Sequence, residues 1–270
     1  MKITVLCDNN TRIDAYYLGE PALSLYLEDG DARILLDTGY SDVFVKNAGV
    51  MGVDLAQITA LVLSHGHDDH TGGLVNLPLF FSKVPLYAHP QVFAPKRWNG
   101  ESCGAPLIEN AAAKIFDLRL SAKPVQISEH LTFLGEIPRK TDFECCEPIG
   151  ERLTETGEWV PDYLPDDTAL AYKGKEGLTV ITGCSHSGIV NIVEYAREVC
   201  REERVCGIIG GFHLLSHRKN RQTQETVEYL AKLHPAQLRP CHCTGFYARA
   251  AIHERVPIRE TCVGDVIEVE

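Results

Sequence analysis

Residues Ser64–Gly73 read SHGHDDHTGG and crowd three histidines and two aspartates into six positions. Polar turns do contain Asp and Gly, but so dense a set of imidazoles and carboxylates favours a bound divalent cation over a plain turn. His65 and His67 lie two residues apart, so both rings can point to the same side of a loop. Asp69 and His70 follow at once, and this single loop can therefore begin the ligand sets of two ions.

The segment that leads into this loop, ITALVLSH (58–65), is almost continuously apolar. Such a run is typical of an internal strand that is buried on both faces of its sheet. Similar runs occur at GLTVITGC (177–184), VCGIIGG (205–211) and QLRPCH (237–242). Helices are predicted at residues 42–52, 189–199 and 224–233. The alternation of strands and helices predicts an α/β fold, a four-layered αββα sandwich.

The whole chain (1–270) is predicted to form one domain, because it contains no linker, low-complexity tract or heptad repeat. Residues 99–122 show no clear periodicity, and we expect an insertion or a lid there. The remaining predicted strands are KITVLCD (2–8), LSLYLED (23–29), ARILLDTG (32–39), VPLYAHP (84–90), LTFLGEIP (131–138) and VGDVIEVE (263–270).

The composition, with 44% hydrophobic and 23% charged residues, is ordinary for a globular protein. No run approaches the ~18 apolar residues of a membrane span, and residues 1–10 lack the features of a signal peptide, so we expect a cytoplasmic protein without membrane contact. The net charge of -11 argues against a general nucleic-acid surface. Ten cysteines without an export signal are expected to be thiols or ligands rather than disulfides. A homo-oligomer is compatible with this composition.

Three further histidines each come shortly after a predicted buried strand: His186 in GCSHSG, His213 in GGFHL and His242 in PCHCTG. The first of these motifs also contains Cys184. Sites in α/β folds lie beyond the carboxyl ends of strands, and one loop cannot enclose an ion. We therefore predict that the side chains of His186 and His242 lie close to the histidines of residues 64–73, which we call the histidine loop. The other histidines are predicted to be exposed or capping residues: His89, His130, His217, His234 and His253.

The motifs resemble those of a known superfamily. HGHDDH (65–70) fits the HxHxDH signature of the metallo-β-lactamase superfamily, and ILLDTG (34–39) resembles the strand and turn that precede it there. The combination of LGEIPR, DDTAL, GCSHSG, GGFHL and PCHCTG is similar to the branch that contains 7,8-dihydropterin-6-methyl-4-(β-D-ribofuranosyl)aminobenzene 5′-phosphate synthase. This resemblance covers essentially the whole chain. It implies one or two divalent metal ions, with Zn expected before Fe or Mn.

The resemblance implies a first metal site that includes His65 and His67. It implies a second site that includes Asp69 and His70, with His242 matching the late histidine of the superfamily. Asp37 in LLDTG is predicted to orient the loop or a ligand histidine by hydrogen bonding rather than to contact the metal, and a similar role is considered for Asp8 and Asn9 beside an ordinary turn role.

Two positions depart from the superfamily pattern. A Gly-His-Thr turn usually supplies the third ligand of the first site, but this chain has Asp166-Asp167-Thr168, which leaves His186 or, less favourably, Asp167 for that role. The usual bridging Asp is replaced by Cys184, a position at which one class of β-lactamases binds its second metal. The sequence is thus compatible with two ions or with one firmly held ion and a weaker site. His213 matches no superfamily ligand, and we predict it at the pocket rim as a substrate-binding or acid–base residue, with a buried, backbone-bonded histidine as the alternative.

These features predict a metal-dependent hydrolase or transferase that acts on a phosphorylated, pterin-like small molecule. Asp69 is the candidate to hold the second ion or to take a proton from water. Arg139, after LGEIP, is the candidate to bind a phosphate, with a solvated loop as the alternative. Two other functions stay open: a metal-stabilised binding or sensory domain, and a di-iron redox protein. The second is disfavoured because flavodiiron proteins carry a Glu where this chain has His67.

Overall fold

The computed structural model describes residues 1–77, 83–144 and 147–270, which form three sheets. The first sheet contains, in spatial order, β17 (Val266–Glu268), β1 (Lys2–Cys7), β2 (Ser24–Asp29), β3 (Ala32–Leu36), β4 (Ala60–Val62), β5 (Pro85–Ala88) and β8 (Asp117–Leu120). The second contains β16 (Gln237–Cys241), β15 (Val205–Gly211), β14 (Leu178–Thr182), β13 (Ala169–Lys173), β10 (Leu131–Phe133) and β9 (Val125–Gln126). The third is small and contains β12 (Trp159–Pro161), β11 (Glu151–Leu153), β6 (Lys96–Trp98) and β7 (Glu101–Ser102).

Helices cover the outer faces of the first two sheets. The α-helices are α1 (Val43–Met51), α2 (Asp68–Thr71), α3 (Glu109–Ile115), α4 (Ile189–Cys200), α5 (Arg221–Leu233) and α6 (Phe246–His253), with 3-10 turns at Leu55–Gln57 and Gly72–Asn76. One hydrophobic cluster joins α1 to the first sheet, a second fills the space between the two sheets, and a third joins α4, α5 and α6 to the second sheet. The predicted four-layered αββα sandwich is confirmed.

The parallel strands of both sheets end at the edge of the sandwich where the histidine loop (residues 64–73) lies. Strand β4 is buried throughout and pairs in parallel with β3 and β5, as its continuous apolar run predicts. In the second sheet β14, β15 and β16 are parallel, and α4 and α5 supply the crossovers that parallel pairing requires. The two sheets meet where these strands end, since the amide of Thr168 donates to the carbonyl oxygen of Ser64 at 2.8 Å. The loops that follow β3, β4, β14, β15 and β16 therefore share one edge of the sandwich.

The stretch 99–122, which shows no clear periodicity in the sequence, contains short regular elements, and its role as an insertion or a lid stays a prediction. It contains β7, α3 and β8, and β8 extends the first sheet in parallel with β5. These elements have two to seven residues, too few for a helical or strand periodicity to emerge. Part of the stretch contacts the histidine loop. The amide of Asp68 donates to the carbonyl oxygen of Cys103 at 2.9 Å, and Gly104 forms an isolated antiparallel β-bridge with His67.

Helix α1 falls within the predicted residues 42–52. Helix α5 begins earlier than predicted, because the Asn220 side chain accepts a hydrogen bond from the amide of Thr223 and caps the first turn. No helix in the described part of the chain combines the length and apolarity needed to cross a membrane. The eight cysteines within that part are all free.

We expect Leu27→Ala to lower the free energy of unfolding by about 2–5 kcal/mol, because it leaves a cavity in the core. Leu27 is fully buried in the layer between the two sheets. Val266→Ala, in the same sheet at a position 56% exposed, is the matched control and should cost less than about 0.5 kcal/mol. Urea denaturation of the metal-loaded protein measures both. Equal losses would contradict the assignment of the inter-sheet layer as the core.

Candidate metal centre

Three histidines from two loops meet to form site A (His65, His67 and His186). His65 and His67 follow β4, and His186 follows β14. Nε2 of His65 lies 3.1 Å from Nδ1 of His67 and 3.2 Å from Nε2 of His186. The three nitrogens lie within 4.8 Å of one another, which is close enough for one ion to contact all of them.

Four residues from helix α2 and from the loops after β14 and β16 form site B (Asp69, His70, Cys184 and His242). Nε2 of His70 lies 3.1 Å from Sγ of Cys184 and 3.2 Å from Nε2 of His242. Oδ2 of Asp69 is 3.5 Å from His70 and 3.3 Å from His242. The ring centroids of His65 and His70 are only 4.3 Å apart, so sites A and B adjoin.

Asp37 fixes the orientation of one imidazole in each site. Its carboxylate accepts hydrogen bonds from the Ser64 amide at 2.8 Å, the Ser64 hydroxyl at 2.6 Å and Nδ1 of His70 at 2.7 Å. Because the Ser64 hydroxyl donates to Asp37, its oxygen accepts from Nδ1 of His65 at 3.0 Å. Both rings therefore carry their lone pair on Nε2, which faces site A in His65 and site B in His70.

The donor atoms of site B fit a cation. Nδ1 of His242 donates to Oδ1 of Asn9 at 3.0 Å, and its amide donates to Asp8 at 3.0 Å, so Nε2 again carries the lone pair. The Nε2 atoms of His70 and His242 thus face each other across 3.2 Å with an Asp69 oxygen beside them. This arrangement calls for a positive charge between the atoms, either a proton on His70 or a metal ion that replaces it. Imidazole, carboxylate and thiolate are the ligands that Zn²⁺ accepts, so these residues fit a divalent metal ion.

The pKa values of the histidines shift downwards in site A and, for His70, upwards in site B. In site A, burial lowers the pKa of His65 well below its usual value and that of His67 to about 4, which keeps both rings neutral and able to bind metal. In site B, burial opposes the charged form of His70, but Asp69 and Asp37 outweigh it and raise its pKa to about 9. Burial likewise opposes ionisation of Asp69, but His70 and His242 hold its pKa well below the usual range. The carboxylates therefore favour a positive charge at site B.

The Asp166-Asp167 pair orients the ligand loops of site A. Both oxygens of Asp167 accept backbone amides, from His186 at 3.0 Å and from Ser187 at 2.8 Å, while the His186 ring lies in site A. Oδ2 of Asp166 accepts the amide of Gly66 at 2.8 Å. Burial raises the pKa of Asp167 to about 6, and the amides that donate to it lower it in part. The structure thus brings His186, rather than Asp167, into contact with the first-loop histidines.

The backbone between His65 and His67 is tightly constrained. A Cβ on Gly66 would lie 2.1 Å from the carbonyl oxygen of Val92, so only glycine fits between the two ligands. Lys96 is fully buried below this loop, where its Nζ lies 3.0 Å from Asp166 and 2.9 Å from Asp162. Sequence reasoning missed Lys96, because a single lysine in a stretch without periodicity gives no sign of burial.

The two other predicted site residues lie beside site A. The ring of His213 is 4.3 Å from that of His186, centroid to centroid, and one of its nitrogens is within 4.8 Å of the sulfurs of Cys184 and Cys243. Arg139 donates from Nη1 to the carbonyl oxygen of His186 at 3.4 Å, and from Nη2 to those of Leu164, at 3.1 Å, and Tyr163. The roles predicted for His213 and Arg139 stay predictions.

The five remaining histidines lie outside the ligand groups that the described residues form. His89 is buried rather than exposed, and it accepts the amide of Gln91 as a turn cap. His130 stacks on Tyr172, and His234 ends α5 in a left-handed conformation. His217 is exposed and His253 lies in the last turn of α6.

We expect His67→Ala to lose the ion of site A while site B keeps its own, because two imidazoles remain where three are needed. Metal analysis of protein purified with Zn²⁺ measures this loss. His217→Ala, an exposed histidine outside the ligand groups, is the control and should bind as much metal as the wild type. Full metal content in His67→Ala would contradict the ligand assignment.

We expect Asp37→Asn to weaken metal binding at both sites by about 10–100-fold, the usual effect of losing a carboxylate that orients a ligand histidine. Asn tolerates the left-handed backbone of residue 37, whose φ is 59°, so the change tests the carboxylate rather than the turn. Ser64→Ala should weaken site A alone, because His70 keeps its bond to Asp37. Chelator competition measures the affinities, with the exposed Asp54→Asn as control. Unchanged affinity in Asp37→Asn would exclude this role.

Comparisons with known proteins agree with this geometry. The family model of the metallo-beta-lactamase superfamily matches residues 18–242. The chain is 30% identical over 262 residues to a 7,8-dihydropterin-6-methyl-4-(beta-D-ribofuranosyl)-aminobenzene-5'-phosphate synthase of Methanocaldococcus jannaschii, covering 92% of this chain and 89% of that one. The structure of Tm1679, a metal-dependent hydrolase of the beta-lactamase superfamily, matches with a TM-score of 0.86 and 31% identity over 100% of this chain and 99% of the other. The chain belongs to the metallo-beta-lactamase superfamily.

Proposed function

We propose that the protein is a metal-dependent hydrolase or transferase that acts on a phosphorylated small molecule. The observation that carries this proposal is the different number of ligands at the two adjoining sites. Site A has three protein ligands and site B has four. Zinc sites with three protein ligands keep a position for water or substrate, whereas sites with four are usually closed. Site A is therefore the reactive site, and site B stabilises the loops and adds charge beside it.

The metal is expected to be Zn²⁺, with Fe or Mn also suited to imidazole and carboxylate ligands. His65, His67 and His186 would hold a divalent ion, which would supply a bound water with a pKa near ~7 and a positive charge to polarise an electrophile. Asp69 is the ligand of site B that a substrate can reach, because its side chain is 29% exposed while that of His70 is fully buried. Asp69 would hold the second ion or direct the nucleophilic water by accepting a hydrogen bond.

The substrate class follows from the synthase of Methanocaldococcus jannaschii, whose name includes a dihydropterin and a 5'-phosphate. We infer a phosphorylated, pterin-like substrate for this chain. We infer that Arg139, which donates to the backbone carbonyl of His186 at the border of site A, would exchange its carbonyl contacts for a phosphate when the substrate binds. Guanidinium groups pair with phosphate oxygens through two parallel hydrogen bonds, which a lysine cannot reproduce. Bond formation and hydrolysis both use this arrangement, because each requires an activated electrophile beside a phosphate.

We expect the Zn²⁺-loaded protein to hydrolyse a generic phosphodiester, bis-p-nitrophenyl phosphate, and to lose this activity on chelation until Zn²⁺ is restored. His67→Ala should lower turnover by ~10²-fold or more, a loss of the size seen when catalytic groups are removed. His217→Ala is the control and should keep full turnover. Release of p-nitrophenolate, followed by absorbance, measures the rate.

Wild-type protein with both sites filled that turns over neither this diester nor a phosphate monoester would contradict the proposal. That result would favour a metal-stabilised binding or sensory domain. Iron in place of zinc after anaerobic purification, together with oxygen reduction, would favour the di-iron redox alternative.

A further inference from the structure

We propose that Cys184, His213 and Cys243 form a third metal site, site C, which binds Zn²⁺ and shares the sulfur of Cys184 with site B. The two sulfurs and a ring nitrogen of His213 lie within 4.8 Å of one another. The inference concerns metal binding alone and does not rest on the proposed reaction. It assigns His213 a ligand role in place of the acid–base role that the sequence predicts.

The topology of the second sheet brings the three residues together. Each is the second residue after one of three neighbouring parallel strands: Cys184 after β14, His213 after β15 and Cys243 after β16. His213 lies level with Cys243, since Gly211 pairs with Cys241, whereas the pairing of Ile181 with Ile209 places Cys184 level with Phe212, one residue out of step. All three residues follow strands that end at one edge of the sheet, and this brings their donor atoms within reach of one another.

Gly211 leaves the space that the sulfur of Cys243 occupies. A Cβ at this position would lie 2.5 Å from Sγ of Cys243 and 2.7 Å from the carbonyl oxygen of Gly183. The amide of Gly211 donates to that same oxygen at 2.8 Å, so the strand ends cannot move apart to make room. The glycine is thus required for Cys243 to approach Cys184 and His213.

His213 has two further features that fit a ligand role. Its φ is 47°, a left-handed conformation that is uncommon for residues other than glycine. Its Nδ1 is buried and has no hydrogen-bond partner among the described residues. Burying an unpaired ring nitrogen costs free energy, and a bound ion is one of the recognised reasons for such an exception.

The donor set selects the metal. Two thiolates and one imidazole suit Zn²⁺ and leave a fourth tetrahedral position for water or a small molecule. Zn–S bonds of about 2.3 Å place two thiolates of a tetrahedral ion about 3.8 Å apart, so donor atoms already within 4.8 Å need only small side-chain shifts. Cys184 contacts His70 of site B at 3.1 Å, and its thiolate would therefore bridge two ions.

Titration of metal-free, fully reduced protein with Co²⁺ and with Zn²⁺ tests site C without any assay of turnover. We expect the wild type to bind three equivalents, one for each group of ligands. Cys243→Ser and His213→Ala should each bind one equivalent fewer, and Cys243→Ser should also weaken the thiolate-to-cobalt absorption in the near ultraviolet. Cys206→Ser, a cysteine at the opposite end of β15, is the control and should match the wild type in both measurements.

Two equivalents in the wild type would overturn the proposal, and this outcome does not depend on the folding of any variant. Wild-type stoichiometry and absorption in both Cys243→Ser and His213→Ala would overturn it as well. Loss of turnover in His213→Ala with all ions retained would restore the acid–base role of this residue. Because His67→Ala reports on site A separately, failure of site C is distinguishable from failure of the proposed function.

Discussion

The carboxylate of Asp37 is the group on which both candidate metal sites depend. It is fully buried at the end of β3 and accepts three hydrogen bonds, one of them from His70 and two from Ser64. Because the Ser64 hydroxyl is committed to Asp37, it orients His65 in turn. One negative charge thus sets the tautomer of a ligand in each site, and Asp69 then supplies the charge that a cation at site B neutralises.

The same principle extends to the backbone of the ligand loops. Asp166 and Asp167 occupy the turn in which the superfamily usually places a ligand histidine, and in this chain they bind amides instead. The third imidazole of site A comes from His186 on the second sheet. Lys96, the first residue of β6 in the small third sheet, offsets the negative charge of Asp166. The two carboxylates in this turn therefore support the loops that carry the ligands.

Much of the fold could be predicted from the sequence, because the apolar runs before the histidine motifs are long enough to mark strands buried on both faces. The convergence of His186 and His242 on the first loop follows from the same runs, since parallel strands end at one edge. The short elements within 99–122 could not be predicted, as each spans too few residues to show a period. Neither the burial of Lys96 nor the hydrogen bonds that connect Asp37, Ser64 and His65 could be predicted, because they depend on contacts between residues far apart in the chain.

Anomalous diffraction at the zinc absorption edge, on crystals of the Zn²⁺-loaded protein, would locate the bound ions. We expect one ion bound by His65, His67 and His186 with a fourth ligand from outside the chain. We also expect a neighbouring ion bound by all four residues of site B, with Asp37 still hydrogen-bonded to Nδ1 of His70. An ion bound by Asp167 in place of His186, or no ion on the three histidines of site A, would contradict this assignment.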